Sequence, residues 1–320
     1  MIMNRDDFLK KLTRAGHNGM IKIVTGIRRS GKSFLLFVLF REHLRQEGIN
    51  DEQIVSLSLD DEDNAEYRDP GTLYEYLKSR IKDTKTPYDI LIDEVPFAIS
   101  KKEFKSGDTV RLYGVLNGLL RRRNVGVYVT GSNSKLLSKD VLTEFRGRGD
   151  EIHLNPLSSA EIMPVCSGNK HGGRNEYMLY GWLPPAVLQP EAEGKRKLPD
   201  NLIRETYLRD VANRHRIRRR AEFEELTDVL ASCIGSLTDP RKLADTFRSV
   251  KRTTLDKGTI KSCIDYLYDA FPIEPAQRYG IKGRSISTLP RNTLFRSRNQ
   301  KRKAVFPADR RNTHNGEYDL

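Results

Sequence analysis

The segment Gly26-Ile27-Arg28-Arg29-Ser30-Gly31-Lys32-Ser33 constrains this chain more than any other feature. It sits between an apolar run, Ile21-Lys22-Ile23-Val24, and a second one that begins at Phe34. The spacing G-x-x-x-x-G-K-[ST] is that of a phosphate-binding loop, which works only with a buried strand before it and a helix after it. Its two glycines let the backbone curl until successive N–H groups face one anion. The lysine reaches the β- and γ-phosphate oxygens, and the next hydroxyl ligates Mg2+. The helix that follows, expected over Phe34–Arg45, turns its positive dipole end toward the same charge. Gly26, Ile27, Arg28, Arg29, Ser30, Gly31, Lys32, Ser33 and Phe34 are therefore the expected nucleotide cradle, with ATP and Mg2+ as its occupants. Lys32 counts among the catalytic candidates, and Ser33 is a metal ligand.

Hydrolysis needs acids opposite that loop. Tyr88-Asp89-Ile90-Leu91-Ile92-Asp93-Glu94-Val95 supplies them, since Ile90–Ile92 reads as a central strand that delivers two carboxylates at its end. Asp93 is the expected metal partner and Glu94 the general base on the attacking water. Val127–Val129 is a further strand, ending in Thr130-Gly131-Ser132-Asn133. A polar side chain there orients water, with Asn133 the first candidate and Ser132 the second; a plain turn is the competing reading. Between these pieces Leu112, Val115, Leu116, Leu119 and Leu120 repeat at helical spacing, one apolar face for a sheet.

Strands at Ile21–Thr25, Ile54–Leu59, Ile90–Ile92, Val127–Val129 and Glu151–Leu154 alternate with helices. That order predicts an α/β P-loop fold: a parallel sheet with helices on both faces. Asn155-Pro156-Leu157-Ser158 then signals a helix around Ala160–Met163. The loop Cys166–Arg174 and the Pro/Glu/Lys-rich stretch Pro190–Pro199 bracket a small helical connector. From Asp200 to about Tyr279 the pattern is helical, and its short-helix, turn, long-helix order suits a winged-helix-like domain. DNA contact through it, a structural bridge and an ATPase lid all remain open. The cluster Arg214-His215-Arg216-Ile217-Arg218-Arg219-Arg220 fits phosphate contact and an exposed helical face equally well.

Composition matters mainly for what it excludes. Among 320 residues the longest apolar run is Phe34–Phe40, far too short to span a bilayer, so no membrane association is expected. No apolar leader opens the chain, and three scattered cysteines (Cys166, Cys233, Cys263) form no framework, so a cytoplasmic protein is expected. The net charge of +13 suggests nucleic acid until it is located. From Lys282 to Leu320 there are 10 Lys and Arg against 3 Asp and Glu, so +7 of the +13 lies in the tail.

The stretches TGIRRSGKS, LIDEV, VTGSNSKLLS, FRGRGDEIHLNPLS and YGWLPPAV together resemble a prokaryotic AAA+ ATPase family over about residues 1–280. The resemblance implies an AAA+ core over residues 1–165, a connector over 166–199 and a winged-helix segment over 200–280. It also implies a C-terminal domain like that of restriction endonucleases. Arg148 then becomes an arginine finger or sensor completing its own or a neighbour's site, with Arg146 second, and a homo-oligomer becomes a natural assembly. Residues 281–320 depart from the pattern: their scattered apolar positions and many Arg, Asn and Ser predict a disordered basic tail. A frameshift in place of the missing domain and a genuine nucleic-acid-binding arm are the two explanations. The functional expectation is a Mg2+-dependent ATPase; the alternative is a nucleotide-regulated DNA-binding switch with little turnover.

Overall fold

A computed structural model describes residues 3, 5–100, 103, 110–131, 149–165, 183–233, 239–250, 255–270, 273–277 and 288–292. The chain comprises two units. The first is Met1–Val165 with Trp182–Pro184; the second is Cys166–Gly181 with Pro185–Leu320.

The first unit is built on five parallel strands: β1 (Ile21–Thr25), β2 (Ile54–Ser58), β3 (Tyr88–Asp93), β4 (Val125–Thr130) and β5 (Gly149–His153), in spatial order β2-β3-β4-β1-β5. β1 pairs with β4 (Ile21 opposite Val127) and with β5 (Ile21 opposite Gly149). Every residue of β1, β3 and β4 is buried, as expected where helices cover both faces. Because side chains alternate along a strand, two cores form. On one face Ile21, Ile23, Ile90, Ile92, Val127 and Val129 pack with Leu73 and Leu77 of α3 (Pro70–Arg80) and with Leu112, Leu116 and Leu119 of α4 (Arg111–Leu120). On the other, Val24, Leu91, Tyr128 and Ile152 pack with Leu12 of α1 (Asp6–Arg14) and with Leu35, Leu36 and Phe40 of α2. Helix α2 runs through Lys32–Phe34, a π-helical stretch Leu35–Phe40, and Arg41–Gln46.

The strands fall where apolar runs placed them, with shifted ends. β3 reaches back to Tyr88 and Asp89 because both are buried, Asp89 by pairing with His17 (3.1 Å). α5 (Ser159–Ile162) starts at the foreseen signal: the Ser158 hydroxyl accepts from Glu161 N–H while the Glu161 carboxylate accepts from Ser158 N–H, a closed capping box.

In the second unit most of the Pro/Glu/Lys-rich stretch Pro190–Pro199 falls within a helix. Ala192–Asn201 is helical (α6), because Ala, Glu, Lys and Arg are strong helix formers and Lys197 pairs with Glu193 one turn back (2.6 Å). Helix α7 continues through Leu202–Leu208 and Arg209–Arg214, followed by α8 (Arg220–Ser232), α9 (Pro240–Val250) and α10 (Lys257–Asp269). Their core gathers Phe223, Leu226, Leu230, Phe247, Ile260, Ile264 and Leu267. The chain does not stay helical to Tyr279: Ile273–Gln277 (β6) pairs antiparallel with Thr288–Asn292 (β7). β7 lies within the segment set apart above as a tail. Among the described residues no helix is long and apolar enough to cross a membrane.

Candidate functional site

The loop after β1 is shaped by three residues with positive φ: Gly26 (136°), Arg29 (60°) and Gly31 (94°). Gly26 is required by space as well as by φ. A Cβ there would lie 2.3 Å from the Leu154 carbonyl oxygen, because Leu154 N–H donates to Thr25 (2.7 Å) and draws the β5 exit against the loop. Ile27 is buried, Arg28 half-buried, and Arg29 exposed. Helix α2 opens when Leu35 N–H donates to Gly31 (2.8 Å); Ser33 and Phe34 stay exposed in its first turn.

Lys32 points into the loop. Its Nζ donates to the Gly26 and Ile27 carbonyls (3.1 and 3.0 Å), and the side chain is almost fully buried. Burial pushes its pKa down to about 8, against the pull of the Glu94 and Asp93 carboxylates; Arg28 adds to the fall. The loop and the β3 exit therefore face one another, as the shared switch point of β1 and β4 requires.

Asp93 ends β3 buried, and burial holds its carboxyl above the usual carboxylate range. Hydrogen bonds from Ser33 and Thr130 oppose that rise, while Glu94 and Asp60 add to it. Thr130, the last residue of β4, joins the two acids: its hydroxyl donates to Asp93 Oδ1 and accepts from Glu94 N–H (3.0 Å). Glu94 itself stands in the left-handed region (φ 50°, ψ 49°), uncommon for a residue with a side chain. The Val95–Ala98 turn that follows begins with Phe97 N–H donating to the Glu94 carbonyl (3.1 Å).

Lys32, Ser33, Asp93 and Glu94 are thus brought together. Asn133, Ser132, Arg146 and Arg148 lie outside the described residues. Thr130 was missed by sequence reasoning, which looked one turn further on; the signal was its place at the terminus of a buried strand beside β3. The donor set suits a nucleotide with a hard cation. Ser30 Oγ is buried in the loop with no protein partner, and the Lys32 ammonium is buried in the same loop. The Ser33 hydroxyl and Asp93 carboxylate offer the oxygen ligands that Mg2+ takes one or two at a time. Among the described residues no cluster of three or more His, Cys, Asp or Glu side chains could hold a metal by protein ligands alone.

Comparison with known proteins adds two family matches. Residues 18–163 match the family described as an AAA domain, and residues 173–292 match a domain of unknown function (DUF8612). An uncharacterized protein of Haemophilus influenzae is 27% identical over 288 residues, 88% of this chain and 68% of its own length. An uncharacterized protein of Methanocaldococcus jannaschii is 25% identical over 307 residues, 89% of this chain and 62% of its own. The chain therefore spans about two thirds of the length of these relatives. Among solved structures, AMPPCP-bound DnaA from Aquifex aeolicus superposes with a TM-score of 0.39 at 13% identity, over 82% of this chain and 86% of that one. The Aeropyrum pernix ORC1 protein in complex with DNA gives 0.37 at 11% identity, over 92% and 90%.

Proposed function

We propose that this chain, whose residues 18–163 match the AAA domain family, binds ATP with Mg2+ and hydrolyses it. One observation carries the reading: the ends of three parallel strands bring a buried ammonium, a hydroxyl–carboxylate pair and a second acid to one place. Lys32 would bridge the β- and γ-phosphates. Ser33 and Asp93 would hold the Mg2+. Bound Mg2+ supplies charge neutralisation on the phosphate oxygens. Glu94 would take the proton of the attacking water, its backbone N–H pinned by Thr130 so that the carboxylate keeps one direction. Asn133 would orient that water, and Arg148 would stabilise the transition-state charge in its own or a neighbouring copy of a homo-oligomer. Residues 1–165 form the ATPase domain in this reading, with 166–199 as connector in a cytoplasmic protein.

A second reading, a nucleotide-regulated DNA-binding switch with little turnover, is favoured by the second unit. Three helices followed by a two-stranded hairpin are the order of a winged helix. The turn between α7 and α8 exposes Arg216, Arg218, Arg219 and Arg220, and His215 stacks on Tyr266 of α10 (ring centroids 3.7 Å apart) to seat it. Arg204, Arg209 and Arg220 also line a cavity of about 300 Å³.

ATP turnover with Mg2+ by the wild-type chain, Lys32→Ala and Glu94→Gln decides between them. An ATPase loses turnover in both variants while Glu94→Gln still binds ATP. A switch shows wild-type binding with negligible turnover, and DNA affinity that changes with ATP. A wild-type chain that binds no nucleotide refutes both.

A further inference from the structure

Arg5 precedes α1 and is as buried as a core residue, at 3% exposure. Its Nη2 donates to the Ser30 carbonyl at 2.7 Å. Its Nη1 donates to the Asn155 carbonyl at 3.0 Å and to the Glu161 carboxylate at 3.2 Å. Glu161 is held in turn by the Ser158 capping box at the head of α5. One guanidinium thus ties the loop after β1 to the segment after β5. Burial works against its charge and Glu161 only partly compensates, so the residue is an expensive choice for a mere filler.

What Arg5 holds is a single peptide unit. The Ser30 carbonyl and the Gly31 N–H belong to one planar trans peptide, so they point in opposite directions. A carbonyl drawn to Arg5 turns the Gly31 N–H away from Arg5 and into the loop. This peptide turns about ψ of Ser30 and φ of Gly31, and Gly31, at positive φ and with no Cβ, does little to resist the turn. The orientation is held by a side chain 25 residues upstream.

We propose that Arg5 is a positioning residue for nucleotide: it locks the Ser30–Gly31 peptide so that Gly31 N–H donates to the β-phosphate. This rests on the ATP reading above. The consequence is selective. Losing the lock weakens only ligands that carry a β-phosphate, whereas loss of fold weakens all ligands alike.

The test is equilibrium binding of ATP, ADP and AMP to the full chain, with thermal denaturation alongside. Arg5→Gln is expected to weaken ATP and ADP about tenfold, the scale of one hydrogen bond to a charged group, and to leave AMP unchanged. Arg5→Lys keeps one donor for the Ser30 carbonyl and recovers part of the ADP affinity. Glu161→Gln removes the ion pair but keeps the Ser30 bond, so stability falls while the ADP-to-AMP ratio holds. Equal losses for ADP and AMP in Arg5→Gln overturn the inference, as does an ADP loss of the same size in Glu161→Gln. If Arg5→Gln does not fold, Arg5→Met, which keeps the buried stem but donates nothing to Ser30, carries the test, and a wild-type ADP-to-AMP ratio in it is the refuting result. A wild-type chain with no preference for ADP over AMP sinks the ATP reading together with this one. A preference that survives Arg5→Gln intact sinks this one alone.

Discussion

The buried lysine of the phosphate loop should make nucleotide affinity depend on pH in a window where neither carboxylates nor ordinary lysines titrate. Burial brings the Lys32 pKa down to about 8. In the free protein about nine-tenths of Lys32 is then charged at pH 7 and about one-tenth at pH 9. A bound β/γ-phosphate stabilises the ammonium, so the complex keeps its proton across this range. Affinity should therefore fall about tenfold between pH 7 and pH 9. Proton uptake on binding should rise in step, from about 0.1 per nucleotide at pH 7 to about 0.9 at pH 9. Isothermal titration in buffers of different ionisation enthalpy reads both quantities at once. Lys32→Ala should bind weakly without a step, and Lys22→Met should keep the step, since Lys22 lies on β1 away from the loop with its Nζ donating to Met20 (3.0 Å). Affinity that stays flat from pH 7 to 9, or a step that persists in Lys32→Ala, refutes the assignment of this charge to phosphate.

Four further outcomes follow from the same geometry. Gly26→Ala should lose about 1–3 kcal/mol of stability from φ strain alone, and more from the contact with the Leu154 carbonyl, measurable by urea unfolding. Thr130→Val keeps the shape but removes the hydroxyl that bonds Glu94 N–H and Asp93; a loss of about 1–3 kcal/mol is expected, with turnover falling further than ATP affinity. Lys22, like Lys32, has its pKa pushed down by burial to about 8, so between about pH 8 and 10 the unfolded chain binds more protons than the native one. Stability should therefore rise with pH across that window, and Lys22→Met should reduce the slope. Glu94→Gly relieves a left-handed residue that costs about 1–2 kcal/mol, partly offset by glycine's unfolded-state entropy; the variant should be about 0.5–1 kcal/mol more stable and inactive.

How much of this was legible follows from where each piece of information is stored. The core strands were readable because a parallel sheet covered on both faces writes itself as unbroken apolar runs, as in Ile90-Leu91-Ile92. Lys32, Ser33, Asp93 and Glu94 were readable because each owes its position to the strand or loop that carries it. The hairpin in the second unit was not. β6 and β7 each carry a proline, Pro275 opposite Pro290, which a two-stranded ribbon tolerates because both strands are edges, so neither showed a strand period. Thr130 and Arg5 were hidden for a different reason: their roles depend on register and packing between segments remote in sequence. Thr130 matters because β4 lies between β3 and β1, and Arg5 because the approach to α1 passes beneath the loop after β1. The atoms proposed to face a ligand are thus named by local motif, whereas those proposed to hold them still come from elsewhere in the fold. Left-handed Glu94 stands at that boundary. Its identity was visible in the pair of acids at the end of β3, but its left-handed conformation is braced by a threonine 36 residues away that accepts from its N–H.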